Sequence, residues 1–213
     1  MRTQAAVVPF AIAGMIATVW FTTLVIVQGL VQPDYSHIAL PISALTAWPD
    51  GWVQRLNFYV TAALMAAFAL SLHRTVRPTR FGLVGIVLLL ASCAGIFLAG
   101  VFPWINVDGV PTETPPHVVG AILTFFGGST GLVVLSRRMA ADPRWQDLSS
   151  YVLCTGLVML VLFIVVGFFA IEEGTPFHAW AGFLQRLLVA VWFAGILVMA
   201  RRVLRLARGT DGA

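Results

Sequence analysis

The 213-residue chain has four histidines, and two of them close the same short phrase: Thr114-Pro115-Pro116-His117 and Thr175-Pro176-Phe177-His178. A third, His37, follows Asp34 closely, and Asp108, Glu113, Glu172 and Glu173 lie in the same kind of segment, beside long apolar runs. Imidazoles and carboxylates together suit two chemistries. Zinc takes both as ligands and in catalytic sites leaves one position open for water. His37, His117, His178 and Asp108 are therefore candidate metal ligands, and zinc is the candidate cofactor. Histidine also titrates near neutrality, which suits acid/base work. The chain has no HExxH and no histidine pair four residues apart, so a site would have to converge from separate loops. Ser36 and Ser43 add hydroxyls, but no nucleophile elbow surrounds them.

The repeated phrase also has a purely structural reading. Threonine at a helix N-cap accepts a bond from an orphan backbone N–H, and proline fits the first helical position, where its missing donor costs nothing. The histidines are not needed for that task.

Arg186 is the other residue that invites a chemical role. It falls about seven residues into the last apolar run, roughly 10 Å below its outer end at 1.5 Å per residue. A charge at that depth either faces the bundle interior with a partner or snorkels to the headgroups. Facing inward, it would take Asp34, Asp108 or Glu172 as counter-ion, with hydrogen bonds from Gln185 and Asn57. Its planar fork would suit a phosphate or carboxylate headgroup.

These residues are carried by a chain that is 59% hydrophobic and 10% charged, against roughly a quarter charged in a soluble domain. Six apolar runs, about 7 to 31, 53 to 72, 82 to 104, 117 to 136, 151 to 170 and 180 to 200, are each long enough to cross the hydrocarbon layer. They are continuously apolar without alternation of period two, which predicts an all-α six-helix membrane bundle rather than a barrel. The first run opens after Arg2 and closes without a small-residue cleavage pattern, so it reads as a membrane helix rather than a leader. No polar linker separates domains, and residues 1–213 read as one transmembrane domain.

Orientation follows from the arginines, thirteen in number with no lysine. Arg2, Arg74, Arg77, Arg80, Arg137, Arg138, Arg144, Arg201, Arg202, Arg205 and Arg208 fall at the N-terminus, after spans two and four, and in the C-terminal tail. The positive-inside rule makes those segments cytoplasmic, so both termini lie inside. The net charge of +4 then reflects topology and contact with anionic lipid at the cytoplasmic face, not nucleic-acid binding. Cys93 and Cys154 lie mid-span and read as two buried thiols without a disulfide.

The outer connections, 32 to 52, 105 to 116 and 171 to 179, are longer than the inner ones. The first is mildly apolar and suits a segment that lies along the headgroups or folds back over the bundle. Trp48, Trp52, Trp104 and Trp180 form an outer aromatic belt, Arg55 is an interfacial anchor, and Trp20 and Trp192 pack mid-span. Small residues at helical spacing, Ala91, Gly95 and Ala99 in span three and Gly120, Thr124 and Gly128 in span four, predict close approach of those two helices. The two Thr-Pro-x-His phrases, 61 residues apart, also allow a two-helix repeat.

Several of these residues carry a resemblance. Tyr35-Ser36, Ile42-Ser43-Ala44-Leu45, Gly100-Val101-Phe102-Pro103, His117, Gly182 and Gln185-Arg186 resemble the bacterial six-span membrane family catalogued as domain of unknown function 998. The resemblance covers nearly the whole chain; it implies fold and topology and supplies no reaction.

Three functions stay open. The first is an outward-facing vestibule in the bacterial inner membrane that binds a small polar or amphiphilic ligand through Asp34, His37, Ser43, Asp108, His117, His178, Gln185 and Arg186. The second is a membrane-surface hydrolase with a metal or acid/base site. The third is a subunit that packs on another membrane protein, or on a second copy of itself, through the glycine-rich helices.

Overall fold

An apolar run of twenty residues in hydrocarbon has no water to bond its peptide groups, so it closes every bond within itself as a helix. The computed structural model describes residues 7–79 and 82–209, and six long helices dominate it: α1 (Val8–Val31), α2 (Gly51–Thr75), α3 (Gly82–Val101), α4 (Pro115–Ala140), α5 (Gln146–Phe169) and α6 (Ala181–Arg208). All six are long and apolar enough to cross a membrane. Arg2 and Arg80 lie outside the described residues. Each helix packs on the next in sequence, and α6 returns to α1, which closes an up-and-down ring.

Several helices run past the apolar stretches that predict them. α2, α4 and α6 extend through turns that carry His73 and Arg74, Arg137 and Arg138, and Arg205 and Arg208. Cations at a helix C-terminus meet the negative end of its dipole, so these turns remain helical beyond the apolar core.

The contact between α3 and α4 rests on missing side chains. A Cβ on Gly95 would lie 2.5 Å from the backbone nitrogen of Thr124 and 2.6 Å from the Gly120 carbonyl oxygen. The Ser92 hydroxyl donates across the same seam to the Thr124 carbonyl at 2.6 Å. The small-residue spacing thus does what it predicts: two backbones touch where no hydrophobic force would draw helices together.

At the arginine-rich end, two connections are tied into each other. Arg138 Nε donates to the Arg77 carbonyl at 2.8 Å, and its Nη2 donates to the carbonyls of His73 and Val76. Asp142, buried, accepts from the backbone N–H of Arg77 at 2.8 Å and from Arg144 Nη2 at 2.8 Å. Arg144 in turn donates to the Thr75 carbonyl at 2.9 Å. The last carbonyls of α2 are therefore capped by side chains that α4 and its following turn supply. Arginines that sequence reasoning uses only for orientation are structural here as well.

The opposite end carries the long connections. Residues 35 to 47 fold back over the ring, and the 3-10 turn Ile42–Ala47 is buried from Ile42 to Thr46. Gly182 makes room for this roof, since a Cβ there would lie 2.3 Å from the Leu40 carbonyl oxygen. The N–H of Phe183 donates to the Ile38 carbonyl at 2.9 Å. Trp104, expected in an aromatic belt, is buried beneath this end; its backbone N–H donates to the Thr46 hydroxyl at 2.9 Å. Between α3 and α4 the chain forms a hairpin, β1 (Ile105–Val107) paired antiparallel with β2 (Val110–Thr112).

Candidate functional site

A cavity of about 460 Å³ lies within the ring beneath the roof, lined from all six helices and from the roof itself. Its walls are mainly Phe21, Phe58, Ile96, Phe125, Phe163, Leu188 and Trp192, while Ser43, Thr61, Glu113, His117, Thr124 and Gln185 are its polar members. Val118 and Ile122 of α4 and Gly167 and Phe168 of α5 line it too, yet they are exposed on the outside of the bundle, Phe168 at 72%. The cavity therefore reaches the apolar flank of the bundle between α4 and α5. Nothing lies within 4 Å of a Cβ built on Gly167, so that position faces open space.

His117 is 2% exposed, and its Nδ1 sits 2.7 Å from the Phe102 carbonyl oxygen. A carbonyl only accepts, so the ring carries its proton on Nδ1, and in the neutral ring Nε2 is left as an acceptor. Two prolines open α4 directly before it, with Thr114 at the N-cap. Proline takes the first helical position as expected, but the Thr114 side chain does not accept the capping bond. The Thr114 carbonyl accepts from the N–H groups of His117 and Val118, but its hydroxyl turns away and donates to the Pro103 carbonyl at 3.2 Å. The bond to Pro103 ties the start of α4 to the base of the hairpin.

The twin phrase is built differently. Thr175 donates to the Glu172 carbonyl at 2.6 Å, and His178 is exposed in the 3-10 turn His178–Trp180, its Nδ1 3.2 Å from the Ala170 carbonyl oxygen. It does not begin an α-helix, because α6 starts only at Ala181. The shared phrase therefore marks two different turns, and no structural two-helix repeat follows from it.

Asp34 and Asp108 are exposed and have positive φ, 62° and 51°. Aspartate tolerates that backbone region because its short side chain can bond locally. Asp108 and Gly109, φ 88°, form the two-residue turn of the β1–β2 hairpin, with the Gly109 N–H bonded to Asn106 Oδ1 at 2.8 Å. This Asp-Gly pair is a strong hairpin signal in any sequence, and here it explains a residue otherwise read as a ligand. Among the described residues no group of three or more His, Cys, Asp or Glu is arranged to hold a metal. His37, His117, His178 and Asp108 belong to no such group.

His37 lies half-buried against Gly29, and its ring meets Tyr35 edge-on at 5.4 Å. Burial lowers its pKa, and the nearby Arg186 charge lowers it further. Arg186 does point inward, but to the roof rather than to an acid. Nη1 donates to the carbonyls of Leu40 at 3.1 Å and Gly182 at 2.9 Å, and Nη2 donates to the Tyr35 hydroxyl at 2.6 Å. None of Asp34, Asp108 or Glu172 forms an ion pair with it among the described residues. Burial raises the Tyr35 pKa against the opposing pull of that guanidinium, so the phenol keeps its proton for the Leu40 and Pro41 carbonyls. Arg186 is a pin for the roof, as Arg55 is for the end of α3, where Arg55 and Tyr59 both donate to the Gly100 carbonyl.

Gln185, one residue earlier, faces the cavity. Its Oε1 accepts from the Ile42 N–H at 2.6 Å, and its amide nitrogen has no partner among the described residues. The Ser43 hydroxyl likewise lines the cavity without one. Asn57 is fully buried and donates to the Phe21 carbonyl and Gln54 Oε1, not to Arg186.

Glu113 is the cavity residue that sequence reasoning counted among the outer acids without giving it a role. It is half-buried beside the Trp104 indole, which also meets the His117 ring edge-on at 6.3 Å. Burial raises its pKa, and the indole N–H acts in the opposite sense. That indole nitrogen closes no hydrogen bond of ordinary geometry, so its effect on Glu113 is one of approach. Only its position two residues before the Pro115-Pro116 helix start, alongside His117, could have singled it out.

Across residues 15–202 the chain matches the model of a family described as Protein of unknown function (DUF998). No curated protein and no solved structure matches it.

Proposed function

The chain belongs to the DUF998 family, and from that footing we propose that this multipass membrane protein binds a single-chain amphiphile within its ring. The apolar walls take the alkyl chain, and Ser43, Glu113, His117 and Gln185 meet the polar head beneath the roof. One observation carries the reading: an apolar cavity of about 460 Å³ that has polar groups at one end and reaches the apolar flank between α4 and α5. Pockets of this size and character are the usual seat of small ligands. Asp34, Asp108 and His178, exposed outside it, take no part in the proposed site.

The arginine distribution supports a bacterial inner-membrane protein with the roofed end facing outward and the arginine-rich end toward anionic cytoplasmic lipid. The close α3–α4 seam spends its glycines within the bundle, which favours ligand binding over a subunit role built on those helices.

The direct test is native mass spectrometry of protein purified in mild detergent, with a dodecyl-chain amphiphile titrated below its micellar concentration. A saturable single adduct is expected. Ala121→Phe, which places a ring in the cavity from α4, should remove that adduct while the protein stays folded. Non-saturable adducts, equally abundant in the filled variant, would refute the cavity as the site.

A further inference from the structure

The polar end of the cavity is unequal in what it offers. Glu113 brings a carboxylate, and among the described residues no arginine lines the cavity. Arg186, next to Gln185, donates to Leu40, Gly182 and Tyr35, and Arg55, on the same helix as Phe58 and Thr61, donates to Gly100. Thr124 spends its hydroxyl proton on the Gly120 carbonyl at 2.8 Å, with that oxygen in the α3–α4 seam, 2.7 Å from where a Cβ on Gly95 would lie, so it offers the cavity no donor. His117 spends its Nδ1 proton on Phe102. Two donors in the lining have no partner among the described residues, the Ser43 hydroxyl and the Gln185 amide nitrogen.

A phosphate or carboxylate headgroup would enter this space beside an acid and with no counter-ion. Burying an unpaired charge in apolar surroundings is costly, and a second like charge adds to that cost. A primary ammonium has the opposite fit. It brings three donors and a positive charge to Glu113, which has no cation beside it among the residues that line the cavity.

Resting on the amphiphile reading, we propose that the cavity selects a single-chain lipid with a cationic amine head and that Glu113 is its counter-ion. The arginine that looks suited to an anionic headgroup in the sequence is a roof pin, and the charge left for recognition has the opposite sign.

The experiment compares three dodecyl amphiphiles in the same native mass-spectrometric titration: dodecylamine, dodecyl phosphate and monolauroylglycerol. Dodecylamine should bind at least ten-fold more tightly than dodecyl phosphate, with the uncharged glyceride between them. Glu113→Gln, nearly isosteric, should abolish the preference for the amine over the glyceride while glyceride binding persists. Equal or tighter binding of the phosphate, or an amine preference unchanged in Glu113→Gln, would overturn the charge assignment and leave the cavity reading standing. Absence of saturable binding by all three would overturn both.

Discussion

Around the roof, single residues have separable duties. Gln185 holds the Ile42 N–H at 2.6 Å in a buried setting. Gln185→Leu strands that donor, and the expected loss is about 1–3 kcal/mol, read as a lower melting temperature in detergent with no amphiphile added. Arg186→Gln should act the same way, because the Leu40 and Gly182 carbonyls and the Tyr35 hydroxyl each lose a guanidinium donor. If Arg186 served a ligand rather than the roof, that variant would melt unchanged and differ only in binding. His37 adds a pH effect. Its pKa is lowered in the fold by burial and by Arg186, so the neutral ring is the favoured form. The stability this represents is complete above the unfolded value near 6.5 and is lost as pH falls through the lower folded value. His37→Gln should flatten the fall in melting temperature over that window.

Helices and turns differ in how far the sequence reveals them. The six spans are legible because twenty apolar residues in a row have only one way to satisfy their peptide groups in hydrocarbon. The α3–α4 contact is legible for a similar reason, since glycine and alanine every fourth residue leave a groove. Gly95→Leu should prevent the native protein from forming, judged by loss of a monodisperse peak on size exclusion, whereas Gly167→Leu, facing open space, should fold normally and narrow the side opening. The site was less legible. Histidine, aspartate and arginine announce chemistry by type, but whether each turns to a cavity, a carbonyl or solvent depends on neighbours 60 to 150 positions away, as with Arg186 and Tyr35. Asp108 draws notice by its type, while its context, the Asp-Gly pair, signals the hairpin turn it forms. At the other end, Asp142 joins the α2 terminus to the turn after α4. Burial would raise its pKa, but bonds from Arg144 and from the Arg77 and Arg144 N–H groups, with the Arg144 charge, outweigh that and lower it. Its contribution is present above the ordinary value of 3.8 and fades as pH drops through the lower folded value. Asp142→Asn should therefore melt earlier than the parent at neutral pH, with the difference shrinking in strong acid.

At the scale of the whole molecule, the arginine-bearing end and the roofed end are chemically opposite, and the hairpin tip is the exposed extremity of the latter. Cys93 is buried as expected, whereas Cys154 is exposed on α5; with both replaced by alanine, Asp108→Cys should react with a membrane-impermeant thiol reagent added outside intact cells. Reaction only after permeabilisation would invert the proposed orientation and put the cavity's polar end toward the cytosol. The opening between α4 and α5 has a further consequence. A guest that arrives by that route leaves one greasy phase for another and need never be hydrated on the way. Its effective abundance is then a mole fraction of the leaflet, so occupancy should fall when inert phospholipid is added at constant bulk volume and stay level when only buffer is added.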